Sequence, residues 1–147
     1  MEGRFLEQVA EALLNPHVTL AEIKGVMKGD VEPMPPNQVH IKLSGRNGIS
    51  GADVVFSREN DLKAAIHIVI IGFENSSHLK LSDLEAMFGH WEPEGEERRP
   101  SATEPVGFDA RSAHGVDLRI SARVKRPASR DSQVTSVEFV RTADDAP

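Results

Sequence analysis

Apolar and polar residues alternate with a period of two over long parts of this chain, which is the pattern of half-buried β-strands. The clearest example is 116–124, where apolar residues occupy the even positions and polar residues the odd ones. Similar patterns predict strands at 39–43, 52–57, 106–110 and 134–141. Each of these strands should turn one face to a core and the other to solvent.

The segment 64–73 differs, because it is the most apolar run in the chain. The β-branched residues that favour a strand over a helix here are Ile66, Ile68, Val69, Ile70 and Ile71. We therefore predict that this strand lies in the middle of a sheet, with both of its faces largely covered.

Helical spacing of apolar residues marks three other segments. The first, Phe5–Leu14, should end before Pro16, because the residue that precedes a proline avoids helical geometry. The second spans 20–28; we expect Thr19 to cap it and Gly29 to stop it.

The third helix is predicted at 81–88. Ser82 can act as its N-cap, and Asp83 favours the positive end of the helix dipole. Gly89 suits the backbone conformation in which helices commonly end.

The predicted order is two helices, three strands, one helix and three more strands. Connections between successive strands are too short for parallel crossovers, so the strands should be mostly antiparallel. The prediction is an α+β fold in one domain, 1–147, with an N-terminal helical pair and the helices on one face of the sheet.

The helices at 20–28 and 81–88 also resemble each other. Residues 18–28 match residues 79–89 in character at an offset of 61 positions. Such similarity at a fixed offset indicates an internal repeat. We predict that 18–73 and 79–141 are half-repeats, which superpose as a helix followed by three strands.

Composition narrows the classes of function. The net charge of −6 over 147 residues argues against a nucleic-acid or anionic-membrane partner. The chain has no Cys, which removes disulfides and thiolate chemistry. No apolar run reaches the roughly 20 residues that span a membrane, and the first residues lack the features of a signal peptide. We expect no membrane span and a cytoplasmic location; a mature periplasmic form lacking its leader would look the same.

No motif in the chain names a reaction. The histidines lack the HxH and HxxxH spacings of metal sites, and no serine lies in a Gly-x-Ser-x-Gly elbow. We assign no catalytic residue, no metal and no cofactor. The alternative that stays open is a small enzyme or ligand-binding protein that uses His and carboxylate residues in a cleft. A closed pocket in which His67, His78, His90 or His114 faces an acid would favour it.

Basic residues are concentrated between 111 and 130, where Asp117 is the single acid among six Lys and Arg residues. Arginine on an exposed sheet face suits the recognition of carboxylates or phosphates. We predict a binding surface for an acidic patch of another protein, with Arg119 and Arg123 at its centre. The residues predicted at its margin are Arg111, Lys125 and Trp91.

Two alternatives to this surface remain. The arginines could pair with the chain's own acidic loop at 92–97, and Trp91 could cover the core beneath that loop. Both would leave the polar face of 116–124 as ordinary solvated surface.

The capped helices carry a resemblance to a known architecture. Their starts and glycine stops are similar to those of the β-lactamase-inhibitor-like group, which includes small outer-membrane assembly lipoproteins. The matching residues are Thr19, Glu22, Ile23 and Gly29 in the first helix and Ser82, Asp83, Leu84 and Gly89 in the second.

The second copy departs from this pattern, since its acid directly follows Ser82, and the lipoprotein Cys is absent. The resemblance implies a non-enzymatic protein that binds another protein on its sheet. Bacterial immunity proteins and inhibitors are comparable in size and charge. The predicted function is therefore a protein-binding module of the inhibitor or immunity type.

Overall fold

The structure is a computed structural model that describes residues 4–34, 37–42, 49–56, 66–74, 77–94 and 102–143. Predictions that fall elsewhere, including those for strand residues 43, 57, 64 and 65 and for glutamates 96 and 97, lie outside the described residues.

The described chain forms helices and strands in alternating groups. The helices are α1 (Arg4–Leu13), α2 (Leu20–Met27) and α3 (Leu81–Phe88). The strands are β1 (Asp30–Met34), β2 (Gln38–Lys42), β3 (Ile49–Phe56), β4 (Ile66–Phe73), β5 (Trp91–Pro93), β6 (Thr103–Phe108), β7 (Arg111–Ala113), β8 (Val116–Lys125) and β9 (Val134–Ala143). Three strands, β1, β5 and β7, occur where the sequence predicted none.

All nine described strands belong to one sheet, in which every pairing is antiparallel. The strand order is β1-β2-β3-β4-β9-β8-β6-β5, and β7 also pairs with β8. The predicted α+β class with an antiparallel sheet is confirmed. Strand β4 does lie in the middle of the sheet, as the apolar run 64–73 predicted.

Strands β6 and β7 run one after the other along the same edge of β8. Gly107 pairs with Ser121, and Arg111 pairs with Leu118. Between these two pairs, the chain covers four residues on the β6–β7 side but only three on β8. The extra residue on the β6–β7 side is a one-residue β-bulge. The hairpin between β7 and β8 then turns through His114 and Gly115, whose φ angles of 54° and 80° suit a type I′ turn.

The hydrophobic core lies between one face of the sheet and the three helices. The Phe88 ring of α3 contacts Phe108 of β6 and Phe139 of β9, and Phe5 of α1 contacts Phe73 of β4. Apolar residues of α2 join the same buried cluster. The described helices therefore pack on one face of the sheet, which we call the helix side; the other is the open face.

The two predicted helix caps have different outcomes. Thr19 caps α2 as expected, since its Oγ1 accepts a hydrogen bond from the Glu22 backbone N–H at 3.3 Å. The prediction for Ser82 is wrong, because the residue lies inside α3 and Lys80 is the N-cap. The Asp83 carboxylate instead accepts a hydrogen bond from the Lys80 backbone N–H at 2.9 Å.

Each predicted half-repeat consists of a helix followed by neighbouring antiparallel strands. In 18–73, α2 precedes β1, β2, β3 and β4; in 79–141, α3 precedes β5, β6, β8 and β9, with β7 beside β8. The number of strands is larger than the three predicted. The last strands of the two segments, β4 and β9, pair with each other, and this pairing joins the segments. Superposition of the two halves stays a prediction.

A buried arginine ties this sheet to the end of α1. Arg141 lies on the helix side of β9 and is 3% exposed. Its guanidinium donates hydrogen bonds to the carbonyls of Leu13 (2.8 Å), Asn15 (3.1 Å) and Ile66 (3.3 Å). The first two carbonyls lie at the C-terminal end of α1, where a helix leaves its carbonyls without intrahelical partners. Arg141 supplies a partner to the Leu13 carbonyl and a second one to the Asn15 carbonyl, which also accepts a hydrogen bond from the Val18 backbone N–H at 3.2 Å.

Candidate protein-binding surface

The open face carries an aliphatic strip at its centre. Val55, Ile68 and Val140 lie directly opposite one another on β3, β4 and β9, and Ile70 is two residues along β4 from Ile68. All four side chains are only partly buried. This corrects the prediction that both faces of β4 are largely covered, because the open-face side chains of β4 remain partly exposed.

Arg119 extends this strip at one end. It lies on β8, directly opposite Val140, and its side chain is exposed. Within the described part of the chain it makes no side-chain hydrogen bond or ion pair. An exposed guanidinium of this kind can pair with a carboxylate from another molecule. The place of Arg119 at the centre of a binding surface stays a prediction.

Arg123 lies on the same face, four residues along β8 from Arg119, but its side chain is already engaged. Its Nε donates to the Thr103 hydroxyl at 3.0 Å, and its Nη2 donates to the Thr103 carbonyl at 3.3 Å. These bonds direct the guanidinium toward β6. Arg123 is half-buried, so it forms part of the floor of this face as well as carrying charge.

The residues predicted at the margin of the binding surface do not all lie on the same face of the sheet. Lys125 is exposed and follows Arg119 and Arg123 in the alternation of β8. Arg111 is opposite the buried Leu118, and its guanidinium lies 5.1 Å from the Phe88 ring centroid on the helix side.

Two margin assignments are therefore wrong. Arg111 donates to the Met87 carbonyl at 2.7 Å, which ties β7 to α3 rather than to the open face. Trp91 pairs with Phe108 and packs against the core, as the alternative for that residue proposed. Residues directly opposite each other share a face, so Trp91 and the core-facing Phe108 both belong to the helix side.

A depression of about 350 Å³ opens beside Arg123 on the open face. Its lining includes Glu138, Glu94, Ser121, Ser136 and Ile70. Glu138 is half-buried, lies directly opposite both Ile70 and Ser121, and has no side-chain partner within the described ranges.

Glu94 reaches the same depression from beyond the end of β5. Its carboxylate lies over Gly107, where a Cβ atom would collide with it. Sequence reasoning included Glu94 only as part of the acidic loop at 92–97 and missed Glu138, although Glu138 is out of phase with the apolar residues Val137 and Phe139. The sequence pattern does not give the pairing register of the strands, and it is this register that places Ser121 between the two acids.

A second polar cluster lies on β2 and β3 of the open face. His40 Nδ1 is 2.9 Å from the Asp53 carboxylate, and Gln38 Nε2 donates to the same oxygen at 3.0 Å. The His40 ring lies over Gly51, and the Ser50 hydroxyl lies over Gly72, the partner of Gly51 across the strands. No hydrogen bond joins Ser50 to His40 among the described contacts, so the three groups do not form a nucleophile relay of the Ser-His-Asp kind.

Three of the four suspected histidines lie on different parts of the fold. His67 lies 3.0 Å from the Arg141 carbonyl. His90 faces Glu92 at 3.3 Å, but these side chains are 69% and 78% exposed. His114 and Glu11 line an open cleft of about 510 Å³ at the end of α1, with no ion pair between them in the described structure. None of these arrangements is the closed His–acid pocket that would favour an enzyme.

The remaining basic residues of 111–130 pair with acids outside the predicted acidic loop. Arg126 lies 3.4 Å from Glu104, and Arg130 lies 2.9 Å from Glu85. Across the described ranges, no group of three or more His, Cys, Asp and Glu is placed to hold a metal ion. None of the helices that the structure describes has the length and apolar character needed to cross a membrane.

Comparison of the chain with family models, with curated proteins and with solved structures finds no match. The resemblance of the capped helices to the β-lactamase-inhibitor-like group therefore stays a prediction. The candidate surface rests on the geometry of this chain alone.

Proposed function

We propose that this chain is a non-catalytic protein-binding module of the inhibitor or immunity type, which acts in the bacterial cytoplasm and binds its partner on the open face of the sheet. The observation that carries the proposal is the aliphatic strip of Val55, Ile68 and Val140, which lies among charged side chains on a face without described helices. An apolar centre with a polar rim is the usual anatomy of a protein–protein interface.

The width of the sheet supports the same proposal. Eight strands lie side by side, and neighbouring strands are spaced by roughly 4.8 Å. The face is therefore roughly 35 Å across, wide enough for an interface of standard size. Arg119, exposed beside Val140, supplies a charge that attracts an acidic patch of the partner.

The test is affinity capture from bacterial extract with two baits that differ on this face. Ile68→Glu adds a charge to the aliphatic strip, and Ala21→Glu adds the same charge to an exposed position of α2. We expect the Ala21→Glu bait to retain the protein captured by the wild type and the Ile68→Glu bait to lose it. Equal capture by a correctly folded Ile68→Glu bait would exclude the open face as the binding site.

The second candidate is a small enzyme or ligand-binding protein, and the His40–Asp53 pair is the observation that favours it. A carboxylate that orients an imidazole is part of many general-base sites. Hydrolysis of p-nitrophenyl acetate, measured for the wild type and for His40→Gln, tests it. Turnover that depends on His40 would support catalysis, and equal background rates would leave the binding proposal in place.

A further inference from the structure

The open face has a crossed arrangement of charges around Ser121. Along β8, Arg119 and Arg123 flank Ser121 at two residues on either side. Across the strands, Ser121 lies directly opposite Glu138 of β9 and Gly107 of β6, and the Glu94 carboxylate lies over Gly107. Cations thus flank this serine along the strand, and carboxylates flank it across the sheet.

From this arrangement we infer that the partner places one basic side chain above Ser121 and acidic side chains on both sides of it. The inference rests on the proposed function, because it specifies the chemistry of the partner at the same face. The inference also refines the sequence-based prediction that the partner presents an acidic patch. The centre of that patch must carry a basic side chain.

Distances from sheet geometry support a central cation. Neighbouring strands are roughly 4.8 Å apart, so a charge above Ser121 is one strand away from Glu138 and one from Gly107, where the Glu94 carboxylate lies. Glu138 is half-buried and has no partner among the described side chains, so an incoming cation would supply its missing counter-charge. The depression of about 350 Å³ gives the head group room to enter.

The positions of the arginines explain why the flanks should be acidic. Side chains two apart on a strand are roughly 7 Å apart, so Arg119 and Arg123 lie at that distance from Ser121 on opposite sides. Thr103 holds the Arg123 guanidinium toward β6, away from the space above Ser121. An extended segment that follows β8 would place its own alternate side chains at the same spacing, so acids two residues before and after its basic residue would meet the two arginines.

The probe for this inference is a synthetic peptide, N-acetyl-Gly-Asp-Gly-Arg-Gly-Asp-Gly-amide. Two relatives serve as controls: one carries neutral citrulline in place of the arginine, and the other has reversed charges, with Glu at the centre and Lys at the flanks. Binding is followed by shifts of backbone amide signals in NMR spectra. The proteins compared are the wild type, Glu138→Gln, and Glu32→Gln at the far edge of the same face.

We expect the arginine peptide to shift the amide signals of Ser121 and Glu138. Its Kd should rise about threefold or more when citrulline replaces the arginine, and by a similar factor in Glu138→Gln, which corresponds to a partly exposed charge pair. Glu32→Gln should leave the Kd unchanged.

Three results would overturn the inference: binding of the citrulline peptide as tight as that of the arginine peptide, tighter binding of the charge-reversed peptide, or no shift with the arginine peptide. None of them touches the proposed function, which depends on the loss of the captured partner from the Ile68→Glu bait. If that bait retains its partner, the proposed function fails independently of the peptide result.

Discussion

Replacing Arg141 with methionine removes the donor of three hydrogen bonds that join β9, the start of β4 and the end of α1. Two of them, to the carbonyls of Leu13 and Ile66, are buried, and the third, to Asn15, is partly buried. A buried carbonyl left without a donor costs about 1 to 3 kcal/mol. For the two buried carbonyls together, the loss in the free energy of unfolding is therefore about 2 to 6 kcal/mol before any compensation.

Part of this loss is offset, because methionine does not have to be desolvated as a guanidinium does. We therefore expect a net loss of about 2 to 3 kcal/mol in the free energy of unfolding. Urea denaturation of the wild type and of Arg141→Met measures it. The matched control is Arg130→Met, which breaks the exposed ion pair with Glu85 and should cost less than about 1 kcal/mol.

Arg141→Lys separates charge from geometry. It keeps the positive charge, but a single ammonium replaces a planar fork that reaches three carbonyls. We expect a stability between those of the wild type and Arg141→Met. If Arg141→Met is as stable as the wild type, the arginine does not tie α1 to the sheet and the reasoning is refuted.

Burial lowers the pKa of the Arg141 guanidinium below the ordinary value of arginine, through desolvation. A base whose pKa is lower in the folded state favours folding more as pH rises through the interval between its folded and its unfolded pKa. Arginine stays charged throughout the ordinary range, so we expect no contribution from Arg141 to the pH dependence of stability between about pH 5 and 9.

Three further predictions concern a helix cap, a glycine and the candidate surface. Thr19→Ala should lower the free energy of unfolding by about 1 kcal/mol, whereas Ser82→Ala should change it by less than about 0.5 kcal/mol; equal losses in urea denaturation would contradict the cap assignment. Gly51→Ala should displace the His40 ring, because the new Cβ would lie 2.9 Å from it, and an unchanged His40 ring environment in NMR spectra would contradict this. Arg119→Ala should leave the melting temperature unchanged and raise the Kd for the captured partner about fivefold or more; loss of folding, or an unchanged Kd, would remove this residue from the surface.

The alternating pattern of the sequence predicted the part of the fold that depends on local periodicity. Strand β8 is buried at Val116, Leu118, Ile120, Ala122 and Val124, as its pattern required. The antiparallel sheet followed from the short connections. Strand β1 was missed because proline suggests a break, yet Pro33 is acceptable on an edge strand, where its nitrogen needs no donor hydrogen.

The candidate surface was harder to predict, because it depends on how distant strands pair. The one-residue bulge between β6 and β7 sets the face on which Arg111 lies, and nothing in the local pattern marks that bulge. Glu138 and Ser121 meet only through the register of β9 against β8. Arg141 is different. It is in phase with Val137 and Phe139, so the alternation of β9 indicates a buried position. The alternation does not indicate that carbonyls at the end of α1 are its partners.

The place of β9 in the sheet has a consequence for the order of folding. It is the last described strand in sequence, yet it lies between β4 and β8 and supplies the pairing that joins the two strand groups. Until β9 is in place, both β4 and β8 have unpaired backbone edges that can template association with another chain. During synthesis on the ribosome, the two strand groups cannot join into one sheet until β9 emerges. The incomplete chain should therefore be most prone to aggregation just before β9 emerges.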